Sequence, residues 1–188
     1  HRWTRHRLFS KIKDRHKSTF NYQNIYSPIV LDMDGDGKLE ASNGQWTPHA
    51  YTGVKLVSFD FNADGFKDKV EWVGPNDGLL LVYKPNEEVN GSHLFGDVGG
   101  WDSGYDKLAS LDKNKDNMLT GSELATLSVW MDRNGNASVD AGEVKTVAEL
   151  GITMLKVTHT PDLVSSFTRA GKTYKMWDWY PTVIHIVK

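Results

Sequence analysis

The chain has 188 residues, 22 of them basic and 24 acidic for a net charge of −2, with no cysteine and 39% hydrophobic side chains. That is chain enough for one domain, or two small ones, with a real core. The composition excludes disulfide staples and thiol chemistry, and no apolar run approaches the ~18 residues of a membrane span.

The charge is uneven along the chain. Arg2, Arg5, Arg7, Lys11, Lys13, Arg15 and Lys17 face Asp14 alone in the first 20 residues, and the remainder then holds 15 basic against 23 acidic side chains. Residues 1–27 therefore read as a basic arm or linker, and 28–188 as the folded domain. Such an arm docks on acidic surfaces. The acidic partner nearest to hand is the calcium module itself, a neighbouring subunit or another protein partner; no nucleic acid is expected. The chain begins at His1 with no leader segment in view, which reads as already processed or excised.

In chain order, Ser27–Leu31 is a short strand entering a first Asp-rich loop. Residues 44–53 look irregular. Val54–Phe59 alternates and enters a second loop, Lys69–Val73 leaves it, and Gly74–Gly78 is a turn cluster. Gly78–Tyr83 is an apolar strand, and Glu87–Gly100 is loop-like. Tyr105, Leu108, Ala109 and Leu111 then predict a helix into a third loop. Leu124, Leu127 and Trp130 predict a second helix that runs into a fourth loop. Val144, Val147, Ala148 and Leu150 predict a third, stopped by Gly151. Ile152–His159, the hairpin Val164–Arg169 with Tyr174–Trp179, and Val183–Val187 complete the chain as strands. The expected class is α+β: short strands and hairpins beside a compact helix–loop–helix–loop–helix unit of EF-hand type, the exit helix of loop three serving as the entry helix of loop four.

The four loops carry the chemistry. Asp32-Met-Asp34-Gly-Asp36-Gly37, Asp60-Phe-Asn62-Ala-Asp64-Gly65, Asp112-Lys-Asn114-Lys-Asp116-Asn117 and Asp132-Arg-Asn134-Gly-Asn136-Ala137 each place a side-chain oxygen at positions one, three and five. Ca²⁺ is a hard cation taking six to eight oxygens, and that spacing wraps half its sphere. A seventh-position carbonyl follows, from Lys38, Phe66, Met118 and Ser138 in turn. Position nine is Glu40, Asp68, Thr120 or Asp140. Glu71, Glu123 and Glu143 stand at position twelve, where a bidentate carboxylate belongs. Loop one has Asn43 there, so its last ligand comes from elsewhere or is water. Asp, Asn and Gly are also plain turn formers, but four such runs in one short chain point to three or four Ca²⁺ ions.

The order of motifs is similar to a known family. Pro28-Ile-Val-Leu-Asp-Met-Asp-Gly-Asp-Gly37, Ser58-Phe-Asp-Phe-Asn-Ala-Asp-Gly65, Glu71-Trp-Val-Gly-Pro-Asn-Asp-Gly-Leu-Leu80, Leu94-Phe-Gly-Asp97, Ala109–Asp116, Val129–Gly135 and Glu143 with Glu149–Ile152 resemble the calcium-dependent self-processing modules of FrpC-type RTX proteins. The likeness runs from about Pro28 to about Trp179. It implies a secreted, extracellular or surface protein that folds on meeting calcium. It also implies cleavage of an Asp-Pro bond at the module's front edge, the aspartate attacking its own carbonyl to give an anhydride that a lysine can open. Here that position reads Ser27-Pro28 and the chain holds no Asp-Pro pair, so this reaction is not expected and no catalytic residue is assigned. Lys84–Ser92 also departs from the family pattern, and no nonapeptide repeats follow.

Other signals are weaker. The seven histidines lack metal-ligand spacing. Trp72, Trp101, Trp130, Trp177 and Trp179 read as core. Three functions stay open: a secreted calcium-binding structural or adhesion module, a self-processing module in inactive form, and a carbohydrate-binding module.

Overall fold

The computed structural model describes residues 26–41, 56–181 and 183–184. The sequence expectations for the basic arm up to residue 25 and for residues 44–53 lie outside them.

The described residues are mostly β, with one helix and two 3₁₀ turns among them. Strands β1 (Ile29–Leu31), β2 (Leu56–Phe59), β3 (Asp68–Glu71) and β4 (Gly78–Val82) precede one six-residue helix, α1 (Gly104–Ala109). Strands β5 (Met118–Thr120), β6 (Leu127–Trp130), β7 (Val144–Thr146), β8 (Ile152–Lys156), β9 (Val164–Arg169), β10 (Lys172–Asp178) and β11 (Val183–Ile184) follow. Two short 3₁₀ turns stand at Gly91–His93 and Gly121–Leu124. An eight-stranded sheet has the order β5-β8-β9-β10-β1-β4-β6-β7, and a three-stranded sheet the order β11-β3-β2. Every pairing among these strands is antiparallel.

The central strands are apolar on both sides. Ile29, Leu31, Leu80 and Val129 point to one core with Tyr105, Leu108, Leu155, Phe167 and Met176. Val30, Leu79, Leu81 and Trp130 point to the other with Phe59, Phe61, Val70, Trp72 and Trp179. Successive side chains of a strand face opposite ways, so a strand covered on both faces reads as a continuous apolar run. That is the pattern of Ile-Val-Leu in β1 and Leu-Leu-Leu in β4. Helix α1 lies in the first layer, and the small sheet lies in the second.

The helix–loop–helix–loop–helix unit is not formed. Its first helix survives as α1, capped by Ser103, whose side chain accepts from the Asp106 N–H. The second is instead the 3₁₀ turn at Gly121–Leu124 followed by β6, and the third is β7 with a turn. The i, i+3 spacing of Leu124, Leu127 and Trp130 arises where one 3₁₀ turn meets one strand. All four residues of β6 are buried, which the one-sided stripe of an amphipathic helix does not allow. Tertiary pairing with β4 and β7 overrides the helical period. Gly151 does end the Val144–Leu150 segment, at φ 71°. The β9–β10 hairpin forms about Ala170-Gly171, both at positive φ (48° and 75°), the two-residue primed turn that matches strand twist.

Candidate functional site

All four Asx loops adopt one local structure. In each, the first-position carboxylate accepts the N–H of the sixth residue through Oδ2: Asp32 from Gly37 at 2.9 Å, Asp60 from Gly65 at 3.0 Å, Asp112 from Asn117 at 2.9 Å, and Asp132 from Ala137 at 2.7 Å. The third residue accepts from the fifth N–H: Asp34 from Asp36, Asn62 from Asp64, Asn114 from Asp116, Asn134 from Asn136. The fifth accepts from the seventh N–H: Asp36 from Lys38, Asp64 from Phe66, Asp116 from Met118, Asn136 from Ser138. Side-chain acceptors thus draw the backbone into a tight curl. The fourth and sixth residues of every loop have positive φ: Gly35 and Gly37, Ala63 and Gly65, Lys115 and Asn117, Gly135 and Ala137.

The far ends of the loops differ. Glu123 spans loop three, its Oε1 accepting from Lys113 N at 2.8 Å and its Oε2 from Thr120 N at 3.1 Å. Glu143 spans loop four in the same way, taking Arg133 N at 3.0 Å and Asp140 N at 3.1 Å. These are the second and ninth residues of each loop. The Thr120 and Lys113 N–H groups hold Glu123 below the usual carboxylate range. The Asn134 and Asn136 amides do the same for Asp140.

Loop one is spanned by a residue from far along the chain. Asp77 accepts from Met33 N at 3.4 Å and from Glu40 N at 2.7 Å, again the second and ninth positions. It comes from the turn before β4 and is fully buried; burial pushes its carboxyl up to about 7. The oxygens of Asp32, Asp34 and Asp36 gather within 4.8 Å of one another, and burial raises the Asp32 carboxyl above its ordinary range. Glu40 turns aside to hold Asn76 through its main-chain and side-chain nitrogens.

Loop two closes a hairpin, with Phe59 paired to Asp68. Asp60, Asp68 and Glu71 are all buried. Strand alternation puts Asp68 and Val70 on one face of β3 and Glu71 on the other.

The donor set of the loops suits a hard cation: carboxylate, amide and carbonyl oxygens, with no nitrogen or sulfur donor. Asp112 Oδ1 is a buried oxygen with no hydrogen-bond partner, as a ligand atom would be. Loop four is tied to the aromatic core. Trp72 Nε1 donates to Asp132 Oδ2 at 2.7 Å and Trp130 Nε1 to Glu143 Oε2 at 3.3 Å, while the two indoles pack edge to face with centroids 5.5 Å apart.

A second constellation surrounds the Ser27–Pro28 peptide. Ser27 and Pro28 are buried. Ser27 N donates to Asp97 Oδ1 at 3.0 Å, and Trp179 N donates to the Pro28 carbonyl at 2.9 Å. A Cβ at Gly96 would overlap the Ser27 carbonyl oxygen, so only glycine lets the chain pass there. Asp178 accepts from Gly104 N at 3.0 Å, and burial pushes its carboxyl up to about 6.

A model of the SPM domain matches residues 29–176. The chain belongs to the SPM-domain family. This module is 35% identical over 145 residues to the iron-regulated protein FrpA of Neisseria meningitidis serogroup C, a match covering 72% of the chain and 12% of FrpA. It thus spans a small part of that relative's length, and it is a module of the FrpC/FrpA kind. Among its described residues no helix is long and apolar enough to cross a membrane.

Sequence reasoning missed Asp77 and Asp178 in the SPM module. Asp77 sits inside Gly-Pro-Asn-Asp-Gly, a segment that reads only as a turn. No local signal marks Asp178. Trp101, expected in the core, is 38% exposed.

Proposed function

We propose that this chain is a calcium-binding module of an exported protein, folded around Ca²⁺, that holds the Ser27–Pro28 bond in a processing pocket without the nucleophile to cut it. Loops three and four hold an ion each through Asp112, Asn114, Asp116, Met118 O and Glu123, and through Asp132, Asn134, Asn136, Ser138 O, Asp140 and Glu143. Loop one holds a third through Asp32, Asp34, Asp36 and Lys38 O, with Asp77 as the far carboxylate in place of a twelfth-position Glu. Loop two offers Asp60, Asn62, Asp64, Phe66 O and Asp68, with Glu71 at its twelfth position.

The observation that carries this reading is the buried, unpartnered Asp112 Oδ1. Leaving such an oxygen bare costs about 1–3 kcal/mol, a cost that coordination removes. The carboxylates of each loop also repel one another without a cation. An ion binding only the folded chain stabilises it by about 1.4 kcal/mol per site at tenfold excess over its Kd. Three sites together are a large share of a small domain's stability. The test is a thermal melt followed by circular dichroism in calcium and in EDTA. A large fall in midpoint, or loss of the transition, is expected in EDTA. An unchanged melt would refute the reading.

The self-processing reading is kept beside the structural one because the Ser27–Pro28 bond is gripped on both sides, by Gly96 with Asp97 and by β10. The carbohydrate-binding reading has no comparable support.

A further inference from the structure

The pocket around Ser27–Pro28 contains an acid that the calcium loops do not use. Asp178 ends β10 and is 4% exposed. One of its oxygens is held by Gly104 N, and the other, Oδ1, is buried. The Ser27 hydroxyl is buried too and stands beside Asp178, where its hydrogen bond favours the ionised carboxyl; among the described residues neither atom has a further partner. A buried carboxyl so thinly partnered costs stability. An apolar pair, or an asparagine, would serve a purely structural contact better.

The surroundings point the same way. Tyr105 packs beside Asp178, but its hydroxyl proton is committed to the Leu163 and Met176 carbonyls at 3.0 and 3.1 Å. His159 stacks on the Tyr105 ring with centroids 4.7 Å apart, and its Nδ1 lies 2.8 Å from the Thr160 carbonyl. Asp97 holds the Ser27 N–H. Tyr105, His159 and Asp97 are the titratable groups that influence Asp178, and Asp178 is the buried carboxyl set against the Ser27 side chain.

We infer that Asp178 is the acid of the processing pocket, supplying the proton that the Pro28 nitrogen needs when the bond before it breaks. This rests on reading residue 27 as the processing position. A prolyl nitrogen has no hydrogen of its own in the peptide and leaves as an amine only if a proton reaches it. With aspartate at position 27, its carboxylate oxygen attacks its own main-chain carbonyl carbon. A C–O bond closes the five-membered anhydride and the C–N bond breaks. The bond pair passes to Pro28 N, which takes the proton from Asp178. Asp178 is left as a carboxylate; water then opens the anhydride and solvent restores the proton. Two carboxyl groups in one such pocket share a proton, since both cannot ionise, which leaves one nucleophile and one donor. In the present chain Ser27 supplies neither a nucleophilic carboxylate nor a second claim on that proton.

The experiment compares the unmodified chain, Ser27→Asp, and Ser27→Asp with Asp178→Asn, each in calcium from pH 5 to 9. Mass spectrometry times the appearance of a fragment beginning at Pro28, while calcium affinity and melting are measured on the same samples. The expected results are no fragment from the unmodified chain, and cleavage of Ser27→Asp that slows as pH rises. The double variant should be at least about 100-fold slower, in line with loss of a general acid, with calcium affinity unchanged. A double variant that cuts as fast, with the same pH profile, overturns the role of Asp178 and leaves the processing reading standing. A folded, calcium-bound Ser27→Asp that stays intact overturns both. If either variant does not fold, carbon-13 carboxyl NMR on the unmodified chain decides: an Asp178 carboxyl already ionised at pH 5 cannot be the donor.

Discussion

Replacing Asp178 by asparagine in the otherwise unmodified chain should make the protein more stable, and more so as the pH rises. Burial lifts this carboxyl from 3.8 to about 6, a difference of roughly two units, and each unit corresponds to about 1.4 kcal/mol. The folded state therefore holds the proton more tightly than the unfolded chain does. Stability from this group is present in full below the unfolded value and is lost as pH climbs through the folded one. Above pH 7 the charged side chain costs on the order of 3 kcal/mol. Asparagine keeps an oxygen for the Gly104 N–H and a polar partner for the Ser27 hydroxyl, without the charge. Urea unfolding in saturating calcium should show the variant gaining about 1–2 kcal/mol of advantage between pH 5 and pH 8. A stability difference that does not change with pH, or a variant less stable at pH 8, would refute the argument.

Glu123→Gln should weaken calcium binding at loop three more than Asp140→Asn weakens it at loop four, because the twelfth-position carboxylate gives two oxygens and the ninth position one; calorimetry showing equal losses would contradict the assigned register. Asp77→Asn should remove one ion from the calorimetric stoichiometry and leave the loop-three and loop-four sites in place, whereas an unchanged count would mean that loop one binds without it. Lys115 is exposed and sits at φ 59°, so Lys115→Gly should relieve about 1 kcal/mol of left-handed strain and raise the melting midpoint in calcium by a few degrees.

The parts that were legible in the sequence are the local ones. An Asx loop is specified within a dozen residues, since each side-chain acceptor finds an N–H two to five positions on, and the position of Asp112 or Asn134 follows from the spacing alone. The β9–β10 hairpin, built on two adjacent left-handed residues, is equally local. The second and third helices failed because periodicity cannot see a partner strand: Leu127 to Trp130 look helical until β4 lies beside them. The candidate site was lost in the same way. Asp77 reaches residues 44 and 37 positions away, and the acid beside Ser27 arrives from the opposite end of the chain.

The place of β1 in the sheet sets an order of events. It comes first among the described strands, yet it lies between β4 and β10, so one of its edges waits for a strand made well over a hundred residues later. Pairings this distant in sequence are slow to form. A nascent or partly translocated chain lacking β10 also lacks Asp178 and Trp179, and the grip on Ser27–Pro28 is then half built. Whatever residue 27 is able to do, its timing is governed by arrival of β10: the fold withholds the Ser27–Pro28 edge until that strand, far along the chain, has been made.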